Sequence, residues 1–171
     1  MSDAEAQRLV GQFLQNFALL EQALNAGIGK ILDLNAAKTE IVCASIPYAR
    51  KVELFFAAEL HSASMPDLDR QKLLKEARGA ALDLNKSRVI FAHHAFSSDG
   101  KDGVRFVKVT NAKLEVSNVK LSPKEVEKLC ERARETAARI NLIAAEMKPY
   151  KPSLDFSDPR NSGYLVLLNL L

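Results

Sequence analysis

The sequence predicts a mainly α protein, an up-and-down bundle of about five helices with one β-hairpin inserted before the last long helix. Two observations carry this expectation. Alanine and leucine fill long segments while glycine occurs only 7 times in 171 residues, a composition that favours helix. Apolar residues recur at helical spacing through most of the chain, and only Val104–Val109 and Leu114–Val119 read instead as short strands.

The elements follow in order. Ser2 and Glu5 have the spacing of a capping box, so a helix starts at once. Val10, Phe13, Phe17, Leu20, Leu24, Ile28 and Ile31 then hold one apolar face, and Gly27 and Gly29 weaken its end while letting a neighbour approach closely. A short helix covers Ala36 to Ala44. Pro47 opens a third helix that runs to Ala63 through Val52, Phe55, Phe56 and Leu60. A turn at Ser64–Asp67 leads into a fourth helix, whose stripe is Leu73, Leu74, Ala77, Ala81, Leu84, Phe91 and Ala95. Ser97–Gly103 reads as a loop, and Thr110–Lys113 as the turn of the hairpin. Ser122-Pro-Lys-Glu125 then starts the last helix with a cap, a proline at the first position and a capping-box acid. Val126, Leu129, Cys130, Ala133, Ala137, Ile140, Ala144 and Met147 give it a buried face. The bundle domain spans residues 1–148. Residues 149–171 form a proline-containing C-terminal tail whose apolar end, Tyr164–Leu171, is expected to pack on the domain or on a second copy.

Composition narrows the function classes. The length suits one domain, and a formal charge of +3 is too small to argue for nucleic acid on its own. Residues 101–120 concentrate it, with Lys101, Arg105, Lys108, Lys113 and Lys120 against Asp102 and Glu115. This reads as a solvated hairpin with lysines guarding its edge, or as a contact for RNA phosphates. The absence of tryptophan argues against an aromatic base-stacking platform. Cys43 and Cys130 both fall in helices and read as reduced, buried thiols. With no secretory-type opening stretch and no apolar run long enough to cross a bilayer, the expected compartment is the cytoplasm, away from any membrane.

The segment that suggests chemistry is Asn85-Lys-Ser-Arg88-Val-Ile-Phe-Ala-His93-His94. At about 100° per residue, Arg88 falls inside the apolar stripe of the fourth helix. A guanidinium there needs a partner, because burying it alone is costly. Glu21 lies near the centre of the first helix's apolar face, so the economical expectation is that these helices pack and Glu21 meets Arg88. Such a pair either fixes helix register or orients Arg88 toward a substrate phosphate. His93 and His94 supply the side chain suited to proton transfer near neutral pH. Arg88 and His93 are about 140° apart on an ideal helix. Their convergence is therefore expected to need a cleft, a distorted last turn or a second subunit. Imidazoles stacked on a helix C-terminus are the bland alternative. Metal binding by the two histidines lacks further ligands at the usual spacing, and His61 reads as a surface residue.

An arginine followed after a few residues by histidine, late in a long helix of a small bundle, resembles the HEPN superfamily of nucleotide-binding helical domains. The resemblance extends to the opening helix with its internal Glu21, the short second helix and the Pro47–Lys51 start of the third, over roughly 2–148. It implies a homodimer and, in active members, metal-independent endoribonuclease chemistry with no cofactor, in a defence or toxin–antitoxin setting. Carried over, Arg88 would stabilise charge on the scissile phosphate and His93, or His94, would act as general acid or base. The family usually has a polar residue directly after the arginine, where this chain has Val89; Asn85 lies one turn earlier and is the candidate substitute for substrate binding, beside Glu21. Two readings stay open. One is an RNA- or nucleotide-binding protein that cleaves RNA. The other is a non-catalytic helical scaffold or antitoxin-like module in which Arg88 and Glu21 are structural. The expected partners are a second copy, RNA or a nucleotide, and a cognate antitoxin or nucleotidyltransferase-like protein.

Overall fold

A computed structural model of the chain describes residues 1–62, 68–100, 103–110 and 115–149. The mainly helical class holds. Five helices, α1 (Asp3–Ile31), α2 (Ala36–Ala44), α3 (Tyr48–Ser62), α4 (Leu68–His93) and α5 (Pro123–Glu146), surround one core, with strands β1 (Ala95–Ser98), β2 (Val104–Thr110) and β3 (Glu115–Leu121) between α4 and α5. The turns expected at Ser64–Asp67 and Thr110–Lys113, the side chain of His61 and the apolar tail end lie outside the described residues.

The helix starts obey local chemistry. Ser2 and Ser122 each accept from the backbone N–H three residues on, and Glu5 and Glu125 return the bond to the cap, forming two complete capping boxes. Asn35 caps α2 in the simpler way, its side chain accepting from Lys38 N. Lys30 closes the other end of α5, donating to the carbonyls of Ala144 at 2.8 Å and Ala145 at 2.7 Å. A cation at those orphan carbonyls also suits the helix dipole.

Helix α1 is the hub and packs against the four other helices, most extensively against α5. All seven residues expected on its apolar face are buried. Its two late glycines are contact points: a Cβ at Gly27 would overlap the Phe55 ring, and one at Gly29 the Thr39 hydroxyl. The α3 stripe differs from expectation in one respect. Leu60 is exposed, and Glu59, closer to the centre of the Val52–Phe55–Phe56 face, is buried instead.

The hairpin is a three-stranded antiparallel sheet in the order β1-β2-β3. Residues expected to end α4 and begin a loop are a strand, pairing Ala95 with Val107 and Ser98 with Val104. Ala95 is therefore an exposed strand residue and no part of the α4 stripe. Its pairing satisfies backbone groups that the sequence pattern alone left unassigned. Asp3 anchors this strand, accepting from Ser98 N at 3.1 Å, and that bond holds its carboxyl below the usual range. Val104 and Phe106 turn inward. A run of ring contacts, Phe17–Phe13, Phe13–Phe91 at 4.3 Å and Phe91–Phe106 at 4.7 Å, locks the sheet to the C-terminal end of α4.

Candidate functional site

Arg88 stands on α4 between the buried Leu84 and Phe91, inside the stripe as its spacing requires. It is half-buried there, and its contact with His93 is exposed, as befits a long side chain with an apolar stem and a charged end. Its Nη1 lies 3.2 Å from His93 Nε2. A guanidinium can only donate, so Nε2 accepts, and the imidazole in this contact is neutral with its proton on Nδ1. The reach of the arginine and the position of His93 as the last residue of α4 bridge the angular gap. One helix suffices to bring the two side chains together, contrary to the expectation from ideal geometry.

His94 does something different. Its Nδ1 lies 3.3 Å from the Val89 carbonyl oxygen and donates to it, tying the ring to the end of α4. Asn85 is half-buried and makes no hydrogen bond among the described residues, while Val89 is exposed. Arg88 and His93 thus meet at the C-terminal end of α4, Asn85 lies earlier on the same helix, and His94 is held on the backbone beside the pair.

Glu21 is not part of this group. The expected Glu21–Arg88 pair does not form: Glu21 Oε1 accepts from Lys51 Nζ at 2.6 Å, and the Lys51 side chain is only 5% exposed. The correction has a plain cause. Lys51 on α3 is buried, and an ammonium out of water needs the nearest acid more than a half-exposed guanidinium does. A second charge group lies further along α3. Arg70 on α4 donates to buried Glu59 through Nε at 3.1 Å and binds Glu146 of α5 through Nη1 at 2.5 Å. Sequence reading missed both buried charges. Their signal was present: Lys51, Phe55 and Glu59 are four residues apart and share one helical strip.

Near the Lys51–Glu21 pair, burial pushes the Tyr48 phenol well above its ordinary range, and the Glu21 charge adds to the effect. Tyr48 accordingly stays a donor, its hydroxyl 3.4 Å from the Ala81 carbonyl. Burial also raises the Cys43 thiol, Lys51 opposes that rise, and Glu40 and Glu21 add to it. Cys43 and Cys130 are free and buried.

Family models, curated proteins and solved structures give no match to this chain. Function therefore rests on the chemistry of these groups. Among the described residues no group of three or more His, Cys, Asp and Glu is placed to hold a metal, and no helix is long and apolar enough to cross a membrane. A depression of about 780 Å³ between α4 and α5 is lined by Lys72, Glu76, Asp83, Arg132 and Arg139 among others, and neither Arg88 nor His93 lines it. Two ion pairs already cross this groove, Arg132 to Asp83 at 3.3 Å and Arg139 to Glu76 at 3.8 Å. Arg88 forms no ion pair among the described residues, and its hydrogen-bond partner is a neutral ring. It can take up an oxyanion without first surrendering a carboxylate.

Proposed function

We propose that this chain is an HEPN-like protein that binds RNA or a nucleotide at the end of α4 and cleaves RNA there without a metal, in a defence or toxin–antitoxin setting. The observation that carries the reading is the contact between Arg88 and His93, a phosphate-binding cation touching a neutral general-base candidate. In the free protein Arg88 occupies the Nε2 lone pair. An RNA phosphate attracts the guanidinium more strongly than an imidazole does and draws it away, freeing Nε2 as substrate arrives. The 2′-hydroxyl then gives its proton to His93, its oxygen bonds to phosphorus, and the bond to the 5′ oxygen breaks. Arg88 neutralises charge on the phosphoryl oxygens, the leaving oxygen takes a proton from water, the hydroxide left takes the proton back from His93, and the products are a 2′,3′-cyclic phosphate and a 5′-hydroxyl.

A second reading has its own support. Val89 stands exposed where the family usually has a polar residue, and Glu21 belongs to a buried structural pair with Lys51. These features suit a non-catalytic interaction module, homodimeric or joined to an antitoxin-like or nucleotidyltransferase-like partner, in which the end of α4 only binds.

One experiment separates the two. Purified protein is incubated with RNA and excess chelator beside Arg88→Ala, His93→Ala and His94→Ala, and the ends of the products are identified. The catalytic reading expects cyclic-phosphate ends and a loss of roughly 10²- to 10⁴-fold in His93→Ala, the usual contribution of a positioned acid or base, with His94→Ala much less affected. Equal cleavage by all four proteins assigns the activity to a contaminant and ends that reading. RNA binding that needs Arg88, without cleavage, selects the binding module.

A further inference from the structure

Away from the α4 end, the outer face of the sheet carries a guanidinium whose hydrogen bonding is incomplete. Val104 and Phe106 of β2 point into the core, so Arg105 between them points to the opposite face. In register beside it stand Ser97 of β1 and Lys120 of β3. Two cations directly opposite each other on neighbouring strands repel. Asp99 is close and is engaged by Lys120 at 2.7 Å. That bond, above all, holds the Asp99 carboxyl below its ordinary range. Among Arg105, Lys120 and Asp99 one positive charge is in excess: Asp99 is bonded to Lys120 and feels Arg105 only at longer range.

The geometry of that excess is specific. Among the described residues Arg105 makes a single hydrogen bond, from Nη2 to Ser97 Oγ at a long 3.4 Å. Its Nε is shielded from solvent and has no acceptor among those residues. The unpartnered Nε and the weakly bonded Nη2 together form the edge with which arginine grips two oxygens of one oxyanion. A shielded donor without an acceptor is costly and calls for an explanation in the molecule's function. The groups flanking that edge can give way, for Ser97 can rotate its hydroxyl and the Lys120 side chain is 60% exposed.

We propose that Arg105, with Ser97 and Lys120, forms a binding site for a phosphate oxyanion on the outer face of the sheet. Nε and Nη2 of Arg105 donate to two oxygens of the anion. The Ser97 hydroxyl donates to one of them, and Lys120 turns from Asp99 to balance the charge. The same chemistry serves a free phosphate or one phosphate of an RNA strand. The site stands independently of the Arg88–His93 reading.

The test follows the Nε–H signal of Arg105 by NMR in the full chain, assigned by its loss in Arg105→Lys. Sodium phosphate is titrated against sodium chloride at equal ionic strength, and single-stranded RNA is titrated separately. A saturable shift with phosphate but not chloride supports the site and shows that the free ion suffices. A shift with RNA alone supports it as a phosphodiester contact, and Arg105→Lys then weakens RNA binding by roughly tenfold, the worth of one charge-assisted bidentate contact. No saturable shift with either probe overturns the proposal, as does unchanged RNA affinity in Arg105→Lys where RNA gave the shift. Arg88→Ala, which leaves this face intact, retains the shift whatever becomes of cleavage.

Discussion

Charged side chains on apolar helix faces meet opposite fates in two regions of this molecule. Along α3, Lys51 and Glu59 are buried, and each is matched by an opposite charge from another helix, Glu21 from α1 and Arg70 from α4. At the end of α4, Arg88 occupies an equally apolar stripe, emerges half-exposed and meets only the His93 imidazole. The helical pattern is the same in both. What differs is the charge that neighbouring elements bring to meet each side chain. A charge-matched pair whose cation is out of water is architecture, whereas a cation with a neutral partner is available to a ligand.

The strongest way to break this contrast is to remove one partner from each region. Glu21→Ala leaves the 5%-exposed Lys51 ammonium without its acid, and breaking such a pair costs about 3–5 kcal/mol. Lys51→Met leaves Glu21, which is 32% exposed and can take up water, so the loss is about 1 kcal/mol or less. Arg88→Met stays within about 0.5 kcal/mol of the unaltered protein, as surface changes usually do. Urea denaturation of the three variants measures the order. Equal losses in all three would erase the distinction between a sealed seam and an open end.

Glycines sharpen it at a smaller scale. In the seam, the Cβ of Gly27→Ala overlaps the Phe55 ring, an overpacking that costs about 1–3 kcal/mol. On α4, a Cβ at Gly79 meets nothing within 4 Å. Gly79→Ala therefore stabilises by about 0.5–1 kcal/mol through helix propensity alone. Melting temperatures moving in opposite directions are the expected result. A stabilising Gly27→Ala would mean that the contact between α1 and α3 is looser than the ring position indicates.

Most of the scaffold was legible because its signals are local. The two capping boxes, the α2 limits and the apolar faces of α1 and α5 follow from residues within a few positions of each other. Strand β1 was hidden because only its pairing with β2 makes it a strand, and that pairing is tertiary. At the candidate site, Arg88 meets His93, and the Glu21 expected beside it pairs with Lys51 instead. Sequence identifies which residues lie on an apolar face, and it does not say which opposite charge another helix brings closest. Lys51 was overlooked beside a more conspicuous arginine, although its four-residue spacing from Phe55 marks the same strip.

The smallest expected effect tests how tightly the seam is closed, through groups the open end lacks. Burial raises the Cys43 thiol above its ordinary value of 9.0 and the Tyr48 phenol above 10.0. Both are neutral when protonated, so a raised folded value means that the folded state retains its proton longer than the unfolded chain. Their contribution is complete below the unfolded values and falls as pH climbs through the raised folded ones. Stability should therefore decline from about pH 9 upward, first through Cys43 and then through Tyr48. Cys43→Val, similar in volume and without a titrating proton, should flatten the first part of the decline, and Tyr48→Phe the later part. Denaturation midpoints between neutral and alkaline pH measure both. An undiminished slope in the double variant would show that water already reaches these side chains, and the seam would then be no more closed than the end of α4.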